Sequence, residues 1–129
     1  MNLNNLNKIS VTKVLQAMRQ LREQGGHELG WRILRAHLEE EEYATTWLIL
    51  ANKLGLKSER AVNLHYGRFA HALWEQMGFT GMPYDPRATR QFWLGLLVTW
   101  PPFDEDIDAD GRTIFILRKP IVEALKRLQ

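Results

Sequence analysis

The chain has 129 residues, enough for one domain to bury roughly two-thirds of its unfolded surface without covalent staples. It is 45% hydrophobic and 25% charged, as an ordinary globular protein is, and it has no cysteine, which excludes disulfides, thiolate metal sites and cysteine nucleophiles. No apolar run approaches the ~20 residues of a membrane span, and the N-terminal MNLNNLNKIS lacks the apolar core of a signal peptide, so a cytoplasmic protein with no membrane partner is expected.

The net charge of +2 is a weak argument for nucleic acid, but the charges are unevenly placed. Nine of the fifteen acids fall in two clusters, Glu39 to Glu42 and Asp104 to Asp110. Between Lys53 and Arg90 six bases stand against three acids, a stretch whose field can attract phosphate.

In chain order, residues 1–9 are polar and Asn-rich and read as a flexible arm. Residues 10–129 then read as a single domain. Ser10 is an N-cap for a helix over 11–24, whose apolar stripe is Val11, Val14, Leu15, Met18 and Leu21; Gly25-Gly26 stops it. A second helix fits 27–38, with Trp31, Leu34 and Leu38 on one side. The glutamates at 39–42 suit the N-terminus of a third helix over 41–54, where acids complement the macrodipole. Tyr43, Trp47, Leu50, Ala51 and Leu54 would face the core, and Gly55 would end the helix in a left-handed cap. Ser58 caps a fourth helix over 59–77, ended by Gly78. Residues 79–91, with Gly81, Pro83 and Pro86, read as a loop. FWLGLLVTW (92–100) reads as a strand and RTIFILR (112–118) as its hairpin partner across the acidic loop FDEDIDADG; Pro120 opens a closing helix.

The order helix, tight turn, helix, hairpin is the plan of a winged helix-turn-helix. The expected fold is therefore mainly α (α+β), with N-terminal helices, a helix-turn-helix at about 41–77, a hairpin wing at about 92–118 and a closing helix. Within WLILANKLGLKSERAVNLHY, Ala51 is small where two helices cross and Gly55 supplies the turn, although this spacing also arises by chance and many helical hairpins bind no DNA. At 100° per residue, Val62, Tyr66, Phe69, Leu73 and Met77 share the apolar face of the fourth helix. A strict helix-turn-helix template would bury Leu64 instead; the periodicity is preferred here and implies a turn about one residue longer. The candidate DNA-binding residues are then Lys57, Arg60, Asn63, Leu64, Gly67, Arg68 and His71, whose side chains suit phosphates, base edges and thymine methyls. Gly67 weakens a helix by about 1 kcal/mol relative to Ala, so it implies close approach either to DNA or to another protein segment.

The stretch EYATTWLILANKLGLKSERAVNLHYGRFAHALWEQMGF resembles the DNA-reading domain found ahead of HNH nuclease domains in bacterial restriction-type proteins. The resemblance rests on Tyr43, Leu50-Ala51, Leu54-Gly55, and on Ala61, Val62, Asn63, Tyr66, Gly67 and Phe69. It continues in Phe92-Trp93, Thr99 to Pro102, and Leu117 to Pro120 with Glu123-Ala124-Leu125. It spans roughly residues 40–128. It implies selection of specific or modified double-stranded DNA for restriction or regulation. No nuclease half follows in the sequence, so cleavage is not implied.

Other signals are weaker. Asp106, Asp108, Asp110 and Gly111 match the start of a calcium loop, but Leu117 stands where its bidentate Glu is required, so an acidic hairpin tip is expected instead. Five acids there would repel phosphate, which favours an alternative: a protein-binding winged helix, such as a phage- or plasmid-encoded inhibitor or adaptor, meeting a basic partner at that tip. The histidines at 27, 37, 65 and 71 show no metal-ligand spacing, and His71 with Glu75 reads as a surface i,i+4 pair. Trp74 falls on the flank of its helix, placed to meet a neighbour, and Tyr84 and Trp93 are the aromatic candidates for a flipped base. With no nucleotide loop and no hydrolase motif, neither an enzyme nor a cofactor is expected.

Overall fold

The computed structural model describes residues 6–81, 83, 93–99 and 107–128. They form a mainly helical α+β body with a small antiparallel sheet. Helix α1 (Val11–Gln24) starts where the Ser10 hydroxyl accepts from Lys13 N, and ends at Gly25 and Gly26, both with positive φ. Val14, Leu15, Met18 and Leu21 are buried, as the helical spacing demands. Residues 6–9 are not a free arm: Leu6 is buried and the Asn7 side chain accepts from Arg118 Nη1 at 2.7 Å.

Helix α2 (Glu28–Leu38) packs against α4 (Glu59–Gln76) at Gly30. A Cβ there would lie 2.6 Å from Phe69 Cβ, so only glycine lets the helices approach this closely. The 39–42 glutamates do not begin a helix. Glu39 is the C-cap of α2, and the chain then makes a 3₁₀ turn (Glu41–Tyr43) with positive φ at Glu42 and Tyr43. Acids at a helix C-terminus oppose the macrodipole; Lys53 compensates by reaching Glu39 at 3.1 Å, Glu40 at 3.8 Å and the Ala36 carbonyl at 3.4 Å.

A two-residue strand, β1 (Ala44–Thr45), replaces the first turn expected of the third helix. Helix α3 (Trp47–Leu54) therefore starts six residues later than the acidic run suggested, with the Thr46 hydroxyl accepting from Ile49 N at 3.2 Å. Gly55 ends it at φ 68°, left-handed as expected, and Ser58 caps α4 by accepting from Ala61 N.

The 92–100 run is also corrected. Trp93–Leu96 is a 3₁₀ turn, and among the described residues of the run only Val98–Thr99 (β2) is strand. Leu94, Leu96, Leu97 and Val98 are all buried; a continuous apolar run has no alternation to specify an extended chain. The hairpin partner contracts to β3 (Phe115–Leu117), the central strand of a sheet ordered β1-β3-β2. Ala44 pairs with Ile116 on one side, and Val98 with Leu117 on the other.

Arg118 follows β3 with a fully buried side chain. Its Nε donates to the Gly95 carbonyl at 2.7 Å, and its own carbonyl accepts from Ile121 N and Val122 N to start α5 (Lys119–Leu128). Helix α5 lies against α1, joining the two ends of the described chain in one core. Among the described residues no helix is long and apolar enough to cross a membrane.

Candidate nucleic-acid interface

Helix α4 divides into two faces. Val62, Tyr66, Phe69, Ala70, Leu73, Trp74 and Met77 are buried, while Leu64 is 47% exposed, so the 3.6-residue periodicity and not the template places this helix. Trp74 meets its neighbour by donating from Nε1 to the Gly81 carbonyl at 3.0 Å.

The inner face is held by a polar strut that the sequence did not signal. His37, in α2, is fully buried. Its Nε2 lies 3.1 Å from the Phe115 carbonyl, to which it donates, leaving Nδ1 to accept from the Tyr66 hydroxyl at 3.0 Å. Burial pushes the His37 imidazole down to about 4, against the smaller opposing effect of its backbone hydrogen bonds, and pushes the Tyr66 phenol well above its ordinary range. Trp47 completes the cluster. It stacks on Phe115 at 3.9 Å and meets Tyr66 and His37 edge-on. Together these rings tie α2, α3, α4 and β3.

The outer face gathers all the residues singled out for binding. Lys57, Arg60, Asn63, Leu64 and Arg68 are exposed; Gly67 and His71 are half-buried. They border two grooves that meet at Asn63 and Leu64. One, of about 310 Å³, is lined by Asn63, Leu64, Gly67, Arg68, His71, Trp93 and Leu94. The other, of about 560 Å³, lies toward the helix N-terminus between Lys57, Ser58, Arg60, Ala61, Asn63 and Leu64. Among the described residues no carboxylate lines either groove. The one acid in the first turn, Glu59, is paired with Arg112 at 3.2 Å, which also pins the hairpin beside the start of α4.

A Cβ on Gly67 would meet nothing within 4 Å, so close packing within the protein is not the reason for this glycine. His71 stacks on Trp93, ring centroids 3.8 Å apart and 5° from parallel, and its Nε2 lies 2.7 Å from Glu75, the expected i,i+4 pair. Trp93 was legible as an aromatic candidate for a flipped base; its partner was not, because 22 positions separate them in sequence. Tyr84, the other aromatic candidate, lies outside the described residues, as do Asp104 to Asp106 of the acidic run.

At the hairpin tip, Asp108 Oδ1 accepts from Asp110 N and Arg112 N, both at 2.9 Å, an Asx turn that uses this carboxylate to close the loop. Compared with protein-family models, curated proteins and solved structures, the chain matches none.

Proposed function

We propose that the chain is a winged helix-turn-helix that binds double-stranded DNA, with α4 in the major groove. The fold part of this reading is supported by the element order: a helix (α2), a short strand (β1), a helix and tight turn (α3), a longer helix (α4), then two strands, with β3 between the others. In that arrangement α4 is the recognition helix and β2–β3 the wing.

The observation that carries the binding role is the composition of α4's solvent face. Lys57, Arg60 and Arg68 surround Asn63 and an exposed Leu64, and no acid among the described residues lines the grooves between them. Lys and Arg there suit phosphates, the Asn amide suits adenine, and Leu64 suits a thymine methyl. The resemblance to domains ahead of HNH nucleases extends this to site selection, including modified sites, for restriction or regulation.

The test is an anisotropy titration of duplex DNA, with and without 5-methylcytosine, at two salt concentrations. Arg60→Glu with Arg68→Glu should abolish binding while leaving the melting temperature nearly unchanged, because neither side chain touches the core. Each lost phosphate contact should flatten the slope of log K against log salt by roughly 0.9. Wild-type protein that shows no salt-dependent retention on any duplex would remove this reading.

A second reading, a protein-binding module, is favoured by the hairpin tip. There Ile107 is 55% exposed beside Asp108 and Asp110, an apolar anchor among acids suited to a basic partner. Under it, the double charge reversal on α4 leaves partner binding intact and Ile107→Asp abolishes it.

A further inference from the structure

The groove beside Gly67 has more shape than contact with a regular duplex requires. Asn63, Gly67 and His71 follow one another at i,i+4, as do Leu64 and Arg68, so its helical wall runs for a little over two turns, roughly 12 Å. The opposite wall is Trp93 and Leu94 from the 3₁₀ turn. Gly67 opens the middle of the wall. It weakens the helix it sits in, and nothing in the fold requires it: the space above it is empty, in contrast to Gly30, where Phe69 fills the place of a Cβ.

At one end of this opening stands the His71–Trp93 stack, both of whose members line the groove; each ring has one face covered by the other and one turned away from it. At the other stands Asn63, exposed, with an amide that offers a donor and an acceptor side by side. Arg68 adds a cation. The neighbouring groove continues the positive charge through Arg60 and Lys57, and the two acids on the helix, Glu59 and Glu75, are engaged by Arg112 and His71. At about 310 Å³ the space is at the lower end of the range for small-ligand sites, ~300–1,000 Å³.

We propose that this groove receives a single unpaired nucleobase of bound DNA. The base stacks against the Trp93–His71 pair over the Gly67 backbone, its edge meets the Asn63 amide, and its phosphates lie toward Arg68 and Arg60. The inference rests on the DNA reading of α4 and adds to it a preference for extrahelical or unstacked bases. Charge selects the class of ligand: an aromatic slot continuous with a groove bordered by Lys57, Arg60 and Arg68 suits a planar ring carried on a phosphate chain better than a neutral aromatic side chain of a protein partner. Stacking of a base on an aromatic side chain is strong enough to read as a difference in affinity.

The experiment compares two labelled duplexes of the same sequence by anisotropy. One carries a single unpaired adenine; the other carries an abasic residue at the same position, which preserves the flexibility and removes the ring. Wild-type protein should bind the adenine-bearing duplex about tenfold more tightly. Trp93→Ala should equalise the two while leaving affinity for a fully paired duplex unchanged. Gly67→Leu should also equalise them, by filling the slot, with a melting temperature at or above that of wild type. Equal affinity of wild type for both duplexes, with salt-dependent binding retained, overturns the nucleobase slot and leaves the DNA reading standing. A preference that persists in Gly67→Leu overturns the slot as well. Absence of binding to every duplex overturns the α4 reading and this inference together.

Discussion

Trp47 lies flat on Phe115 and edge-on to Tyr66 and His37, so truncating it opens a cavity where α2, α3, α4 and β3 meet. Trp47→Ala should lower stability by about 3–5 kcal/mol in urea titrations, and a near-neutral result would contradict this packing. His37 gives the core a pH dependence whose sign follows from its lowered pKa. The unfolded imidazole takes up a proton near its ordinary value of 6.5 and the folded one only near 4. Its contribution to stability is therefore complete above about pH 6.5 and is lost as the pH falls toward 4, in total about 3 kcal/mol. The groups that face it include the Tyr66 hydroxyl and the backbones of Phe115 and Tyr43, none of which ionises in that window. Replacing His37 with Gln should flatten the stability profile between pH 4 and 6.5; an equally steep profile in the variant would show that other groups govern it.

At the scale of the elements, one substitution should act in opposite directions at two glycines. Gly55 ends α3 at φ 68°, which a Cβ strains, so Gly55→Ala should destabilise by about 1 kcal/mol. Gly67 lies within α4 with open space above it, so Gly67→Ala should stabilise by about 1 kcal/mol. Thermal melts of the two variants decide both, and shifts of the same sign would mean that α3, α4 and the turn between them are built differently. The hairpin tip should be indifferent to calcium. Asp108 Oδ1 is held by two backbone N–H groups, and the twelfth loop position is the buried Leu117 of β3. Melts with calcium and with a chelator should coincide, and a rise of several degrees with calcium would assign the tip a metal.

Across the whole molecule, one continuous core links the Leu6 end of the chain to α5, and the buried Arg118 joins Asn7 to Gly95. Unfolding should therefore be a single cooperative transition, with far-ultraviolet ellipticity and tryptophan fluorescence coincident in denaturant. Separate midpoints would show that α1 and α5 form a unit of their own. The same architecture keeps the outer face of α4 apart from the core: its inner face is closed by α2 and α3, so charges on the outer face should be reversible without unfolding the domain.

Local signals sufficed wherever a rule acts within a few residues. Ser10, Ser58 and Gly55 marked helix ends because caps and left-handed turns are set by their own backbone, and the 3.6-residue period of Val62, Tyr66, Phe69 and Leu73 oriented α4 correctly. The residues singled out on its outer face consequently lie together. Sequence failed where distant contacts decide. Ala44-Thr45 is a strand only because Phe115-Ile116 offers it an edge, and the glutamates before it tolerate a helix C-terminus only because Lys53 reaches back to them. Within FWLGLLVTW, Trp93–Leu96 is a 3₁₀ turn and Val98–Thr99 a two-residue strand, in a setting where the Gly95 carbonyl meets Arg118. Periodicity reports which face of a segment is apolar, but a hydrogen-bond partner or a stacked ring far along the chain leaves no local trace. For that reason the outer face of α4 could be read from the sequence, while the His37 strut behind it and the His71–Trp93 stack beside it were decided only by the tertiary fold.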